Sequence, residues 1–209
     1  MNINELTIEN SVLCLIDHQP WVAFPIQSIA PQTLTNNVTG LAKTAAALSV
    51  PTILTTINAE GGPLRDPLFT GVSSVFPDVQ PIDRHVTNAW ADPRFVSAVE
   101  ATGRRKLIMA GLWTEVCLAQ TALSAMKAGY DVYFVADASG GLSPEAHERA
   151  CQRMIQAGAR PMSWFGVLAE WCPDNQDPVY QKTYPIALDH GGGVAWAVQY
   201  TMANLVRSA

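Results

Sequence analysis

KLIMAGLWTEVCLAQTALSAMKAG, residues Lys106–Gly129, joins an apolar run to an amphipathic segment across a glycine. Leu107–Ala110 predicts a buried strand, Gly111 interrupts it, and the residues beyond predict a helix with Cys117 in its first turn. Thr114 reads as the N-cap, which makes Cys117 the third helical residue, and Gly129 reads as a left-handed C-cap. A buried strand running into a helix N-terminus is the building unit of open α/β sheets, which bind ligands outside the carboxyl ends of their strands. Unpaired N–H groups and the positive end of the helix dipole meet there, and both favour a thiolate. Two readings of Cys117 stand at this point: a reactive thiol, or a small core residue.

The flanking sequence repeats the same unit. Residues 11–17, SVLCLID, are continuously apolar up to a terminal acid, as expected of a strand buried on both faces with Asp17 at its carboxyl end. A proline-broken loop follows, then a helix over residues 35–48 with Val38, Leu41, Ala42, Ala45 and Leu48 at helical spacing. Residues 50–55 form the second strand. Residues 58–76 read as a loop with room for a short helix, and a short third strand ends near Arg84. Asp92 as N-cap and Pro93 at the first helical position start a helix that Gly103 closes. After the central stretch come a strand over 131–136, a helix over 144–157 between Ser143 and Gly158, a strand over 160–163 and a short helix over 164–171. Beyond Pro173 the pattern weakens to a linker and one last helix over 194–205.

This alternation predicts an α/β fold of three layers, Rossmann-like, with a mostly parallel six-stranded sheet and helices on both faces. Right-handed crossovers give the order 3-2-1-4-5-6. Residues 1–172 form the domain, and residues 173–209 are an extension that packs on it or on a neighbouring subunit. Strands one and four are then neighbours, about 4.8 Å apart, where the winding reverses. Topology alone therefore brings Asp17 beside Cys117.

Composition excludes several classes of function. A net charge of −5 and scattered basic residues argue against nucleic acid, and no apolar run is long enough to span a membrane. The opening MNINELTIENS lacks a signal-peptide pattern, so a cytoplasmic location is expected. Only 15% of residues are charged, which points to surface buried in a homo-oligomer. Cys14 reads as core, while Cys151 and Cys172 have no partners at metal spacing. With no CxxC, no HExxH and no histidine pair, neither a metal nor another cofactor is expected.

Asp17 is either a loop-capping acid or the group that takes a proton from Cys117 and returns it to a leaving group. Arg84 is either a solvated surface residue or, pointing inward, a fixed positive charge that lowers the thiol's pKa and keeps Asp17 ionised. Gln19 and Phe24, in the loop after the first strand, and Asn88 and Trp90, just past Arg84, are the expected contacts for a small-molecule substrate.

Leu15-Ile16-Asp17, the block Gly111-Leu112-Trp113-Thr114-Glu115-Val116-Cys117, and Val135-Ala136-Asp137-Ala138 together resemble the isochorismatase-like cysteine hydrolases. The resemblance covers roughly residues 11–171. PTILTT at residues 51–56, NAW at 88–90 and Trp164-Phe165-Gly166 are similar to the YcaC-related branch, whose best-known member is an octamer of unassigned substrate. The resemblance implies an Asp, Lys, Cys triad, of which Asp17 and Cys117 match. The lysine's place falls in the segment holding Arg84, and no lysine lies between Lys43 and Lys106. It also implies a cis peptide at Leu112–Trp113, with an oxyanion hole made by the Trp113 and Cys117 N–H groups. The implied activity is metal-independent hydrolysis of a small amide or related C–N bond through a thioester. The alternatives are a thiol redox or ligand-binding protein without turnover, and a vinyl-ether hydrolase.

Overall fold

The computed structural model describes residues 6–61 and 67–205. Part of the loop expected over residues 58–76 and the outermost ends of the chain lie outside them.

The strands are β1 (Ser11–Ile16), β2 (Thr52–Ile57), β3 (Ile82–Arg84), β4 (Lys106–Gly111), β5 (Asp131–Val135) and β6 (Arg160–Met162). They form a parallel six-stranded sheet in the order β3-β2-β1-β4-β5-β6. This is the order expected from the sequence. β1 pairs with β4 from Ser11 opposite Lys106 to Ile16 opposite Gly111, so both central strands end level at the carboxyl edge.

The helices are α1 (Pro20–Ala23), α2 (Pro31–Ala47), α3 (Thr70–Ser73), α4 (Pro93–Ala101), α5 (Ala119–Lys127), α6 (Pro144–Gln156), α7 (Trp164–Trp171), α8 (Pro178–His190) and α9 (Gly193–Leu205). The period of two along β1 divides the core between the two faces of the sheet. Leu13 and Leu15 pack with Val38, Leu41 and Ala45 of α2 and with Trp164 and Leu168 of α7. Val12, Cys14 and Ile16 pack with Phe95 and Val99 of α4, Ala122 of α5 and Met154 of α6. Strands buried this way carry continuous apolar runs because neither face meets water.

Several boundaries differ from expectation, for local reasons. β1 ends at Ile16 because Asp17 takes a left-handed conformation, φ 59°. α2 starts at Pro31, whose missing N–H costs nothing at the first helical position. β2 lies two residues further along than predicted. Gly129 and Gly158 close their helices with φ of 86° and 106°, as expected.

The largest correction is α8. Asp177 caps it by accepting from the Val179 N–H (2.8 Å), and it carries Pro185 internally. Its buried Thr183 and Ile186 pack on the α2 side of the core. α9 follows it with Val194, Trp196, Tyr200 and Met202 exposed. Among the described residues no helix is long and apolar enough to cross a membrane.

Candidate active site

The reversal point between β1 and β4 gathers three buried side chains: Asp17 (0% exposed), Arg84 (1%) and Cys117 (4%). Each arrives from a different strand end.

Asp17 is clamped from β2 at two points. Its N–H donates to the Thr55 carbonyl (3.1 Å), and the Thr55 hydroxyl donates to Asp17 Oδ1 (2.8 Å). Aspartate is among the few side chains that tolerate its left-handed backbone. The turn continues with the Gln19 N–H donating to the Asp17 carbonyl (2.8 Å).

Arg84 ends β3, registered opposite Ile57 of β2. Its guanidinium points inward and forms an ion pair through Nη2 with Asp17 Oδ2. Nη1 donates to the carbonyls of Val86 and Thr87, the latter at 3.1 Å. The inward reading of Arg84 is thus the one the structure adopts. Its Nε is buried without a partner among the described residues.

Cys117 lies in a π-turn over Thr114–Leu118 that leads into α5. The expected Thr114 cap does not form. Trp113 occupies the cap position with no side-chain bond, and the Thr114 hydroxyl meets His147 Nδ1 instead (2.8 Å). The Val116 and Leu118 N–H groups converge on the Trp113 carbonyl (3.0 and 3.3 Å), a widened turn of the kind frequent at functional sites. The Thr121 hydroxyl donates to the Cys117 carbonyl (2.7 Å) and accepts from the Ala89 N–H (2.9 Å). That bridge ties the turn to the segment following Arg84. The Leu112–Trp113 peptide is cis, as the resemblance implied, and Trp113 Nε1 donates to the Val22 carbonyl of α1 (2.6 Å).

The electrostatics correct one expectation. Burial first, and then the Asp17 carboxylate, push the Cys117 thiol up to about 12, and the opposing influence of Arg84 does not reverse this. The helix start does not yield a resting thiolate, because desolvation of the sulfur outweighs it. Burial also raises Asp17, against the lowering influence of Arg84, Thr55 and Cys117. Burial thus favours the protonated thiol at Cys117, and the Asp17 carboxyl lies against the Arg84 guanidinium.

The four expected substrate contacts behave differently from one another. The Gln19 amide bridges both backbone groups of Ile57, accepting from its N–H (2.8 Å) and donating to its carbonyl (3.3 Å). Phe24 is 89% exposed. Asn88 accepts from the Trp90 N–H (3.1 Å) and donates to Ser124 Oγ (2.9 Å). Trp90 stacks edge-on against Phe95 and Tyr130.

Sequence reasoning missed Thr55, whose signal was a pair of adjacent threonines near the carboxyl end of the second strand. It also missed His18, fully buried, with Nε2 against the Ala138 carbonyl (2.9 Å) and Nδ1 without a partner among the described residues. No three His, Cys, Asp or Glu side chains among the described residues converge as a metal site.

An acid, a cation and a thiol thus meet at the reversal point of a 3-2-1-4-5-6 sheet, and the isochorismatase-domain family profile fits residues 11–165. The chain belongs to the isochorismatase family. It is 43% identical over 162 residues to the probable hydrolase YcaC of Escherichia coli K12, covering 77% of each chain. The crystal structure of E. coli YcaC, an octameric hydrolase of unknown specificity, superposes with a TM-score of 0.90 at 37% identity, over 98% of this chain and 99% of that one. YcaC from Pseudomonas aeruginosa, solved with hexane-2,5-diol and covalent acrylamide, superposes with a TM-score of 0.87 at 35% identity, over 100% and 98%. These relatives make the chain a hydrolase of the isochorismatase family.

Proposed function

We propose that this isochorismatase-family hydrolase cleaves a small amide or related C–N bond through a thioester on Cys117. The observation that carries the reading is the buried contact of Asp17 with Arg84 beside the buried Cys117 thiol. Asp17 takes the Sγ proton as the sulfur attacks the carbonyl carbon. The Trp113 and Cys117 N–H groups receive the developing oxyanion, an interaction worth about 2.7–4 kcal/mol per donor at the transition state. Asp17 then gives its proton to the departing amine, leaving the thioester. In the second half Asp17 takes a proton from water, the hydroxide attacks the thioester carbon, and collapse expels the Cys117 sulfur, which recovers the proton. Arg84 holds Asp17 in place and moves no proton, because a guanidinium does not titrate in this range. No step is assigned to a metal.

The covalent acrylamide on P. aeruginosa YcaC shows that a small amide-bearing electrophile reaches that protein, and by likeness supports a small substrate here. Likeness to the E. coli octamer supports a homo-oligomer, which light scattering on the purified chain would measure. For the chemistry, intact-mass analysis of wild type quenched during turnover of an amide panel should show an acyl adduct that Cys117→Ala lacks. A vinyl-ether substrate turned over equally by wild type and Cys117→Ala, with no adduct on any amide, would overturn the proposal.

A further inference from the structure

Among the described residues the arginine that meets Cys117 is already paired, and Glu115, in the same turn, has no cation partner. Asp17 and Arg84 neutralise each other with side chains 0% exposed. Asp92, the other carboxylate that feels Arg84, is paired with Arg94 (2.7 Å). Arg84 Nη1 is held by two backbone carbonyls. Among the described residues no cation at this site is left over for a ligand. The apolar cluster of Val22, Leu34 and Leu112, packed with Ile57, Phe69 and Trp113, sits at the same carboxyl edge. The chain's net charge of −5 adds a mild repulsion of anions.

From this pairing we infer that the substrate is uncharged around the scissile bond and bears no carboxylate or phosphate there. The inference rests on the cysteine-hydrolase reading and narrows it to neutral amides. An anionic group entering here would lose its water and meet a carboxylate beside an arginine already taken. A neutral carbonyl brings an acceptor without a charge, and one buried donor, Arg84 Nε, has none. With Cys117 only 4% exposed, the approach admits small groups.

Two alkylating agents of nearly equal size separate charge from chemistry: neutral iodoacetamide and anionic iodoacetate. In each, Asp17 takes the thiol proton and the sulfur displaces iodide. Second-order labelling of Cys117 in the full chain at neutral pH, followed by peptide mass mapping, gives a rate ratio to set against that of glutathione in the same buffer. The ratio should favour iodoacetamide by about 10-fold more than glutathione does. In Asp17→Asn, which leaves the Arg84 charge unmatched, it should shift by a similar factor toward iodoacetate. A wild-type ratio equal to that of glutathione, or tilted toward iodoacetate, overturns the inference, as does failure of both reagents to label Cys117 while they label Cys151. Alkylation needs no turnover, so a neutral preference with no acyl adduct across the amide panel would sink the hydrolase mechanism and leave the charge selectivity standing.

Discussion

Replacing Asp17 with asparagine isolates the charge of the buried pair from its shape. Asparagine tolerates the left-handed backbone at φ 59° as aspartate does, and it fills the same volume. Its hydrogen bonds can also be kept. With the amide oxygen facing Arg84, the amide nitrogen faces Thr55 Oγ1, and a threonine hydroxyl can turn to accept. What is lost is the countercharge of a guanidinium with 0% exposed side chain. Removing one partner of a buried ion pair costs about 3–5 kcal/mol. The carbonyls of Val86 and Thr87 still solvate Nη1, which places Asp17→Asn at the lower end, about 3 kcal/mol. For a chain of this size that corresponds to a fall in Tm of roughly 6–12 °C.

The measurement is urea and thermal unfolding at fixed protein concentration, because subunit association moves apparent stability. The double variant Asp17→Asn/Arg84→Met is the control. Removing the stranded charge should recover about 2 kcal/mol or more of the loss, since an apolar side chain often matches a buried pair. An Asp17→Asn protein within about 0.5 kcal/mol of wild type would refute the reasoning. So would a double variant no more stable than the single one.

Other expectations follow from named contacts. Thr55→Val deletes the hydroxyl that donates to Asp17 Oδ1 and lowers its pKa, so the acid limb of the pH–rate profile should move up by about 1–2 pH units, with Thr55→Ser restoring it. At high pH the buried thiols add to the slope. Cys14 and Cys117, both pushed up from 9.0 to about 12, keep their protons in the folded chain while the unfolded chain ionises. The folded state then binds more protons, so stability falls from pH 9 toward 12, by roughly 2 kcal/mol per thiol at pH 10.5. Urea titrations across that range should show the fall, flatter in Cys117→Ala; a pH-independent midpoint would contradict it. Gly111→Ala would place a Cβ 2.9 Å from Ile16 Cβ and 3.2 Å from the Ile16 carbonyl, prising β1 from β4 at the site. It should cost about 1–3 kcal/mol and depress kcat, and an unchanged unfolding midpoint would show that the strand ends yield freely.

The sheet order was legible because each central strand is an apolar run bounded by a turn signal, and right-handed crossovers leave few ways to stack them. The juxtaposition of Asp17 and Cys117 followed from that order. α8 was not legible. Pro185 breaks the helical pattern within it, and its apolar residues do not form a strong stripe, so only packing on α2 reveals it. The Thr114 cap failed for a tertiary reason, since His147 of α6 takes the hydroxyl that a local reading gives to the helix. The thiol was misjudged in the same way. Its place at a helix start is written in the sequence, whereas the burial that outweighs the helix is a property of the whole fold. Arg84 is read as inward only once β3 is seen in register with β2.

That inward arginine decides how the proposed chemistry must run. A lysine at this point can share in proton transfer; a guanidinium cannot, so every proton in the cycle passes through one carboxylate. That carboxylate needs two opposite properties, ionised before attack and acidic enough afterwards to protonate an amine. Burial pulls its affinity for a proton up. Arg84 and Thr55 pull it down. Weakening either restraint should raise Asp17 further and lower the fraction ready to receive the Cys117 proton. Weakening the burial should leave it too weak a base for a thiol near 12. Both faults lower the rate but shift its pH dependence in opposite directions. On the proposed mechanism the site would work through the opposition between burial and charge at Asp17, and the arginine that sets one side of it would belong to that mechanism although it transfers nothing.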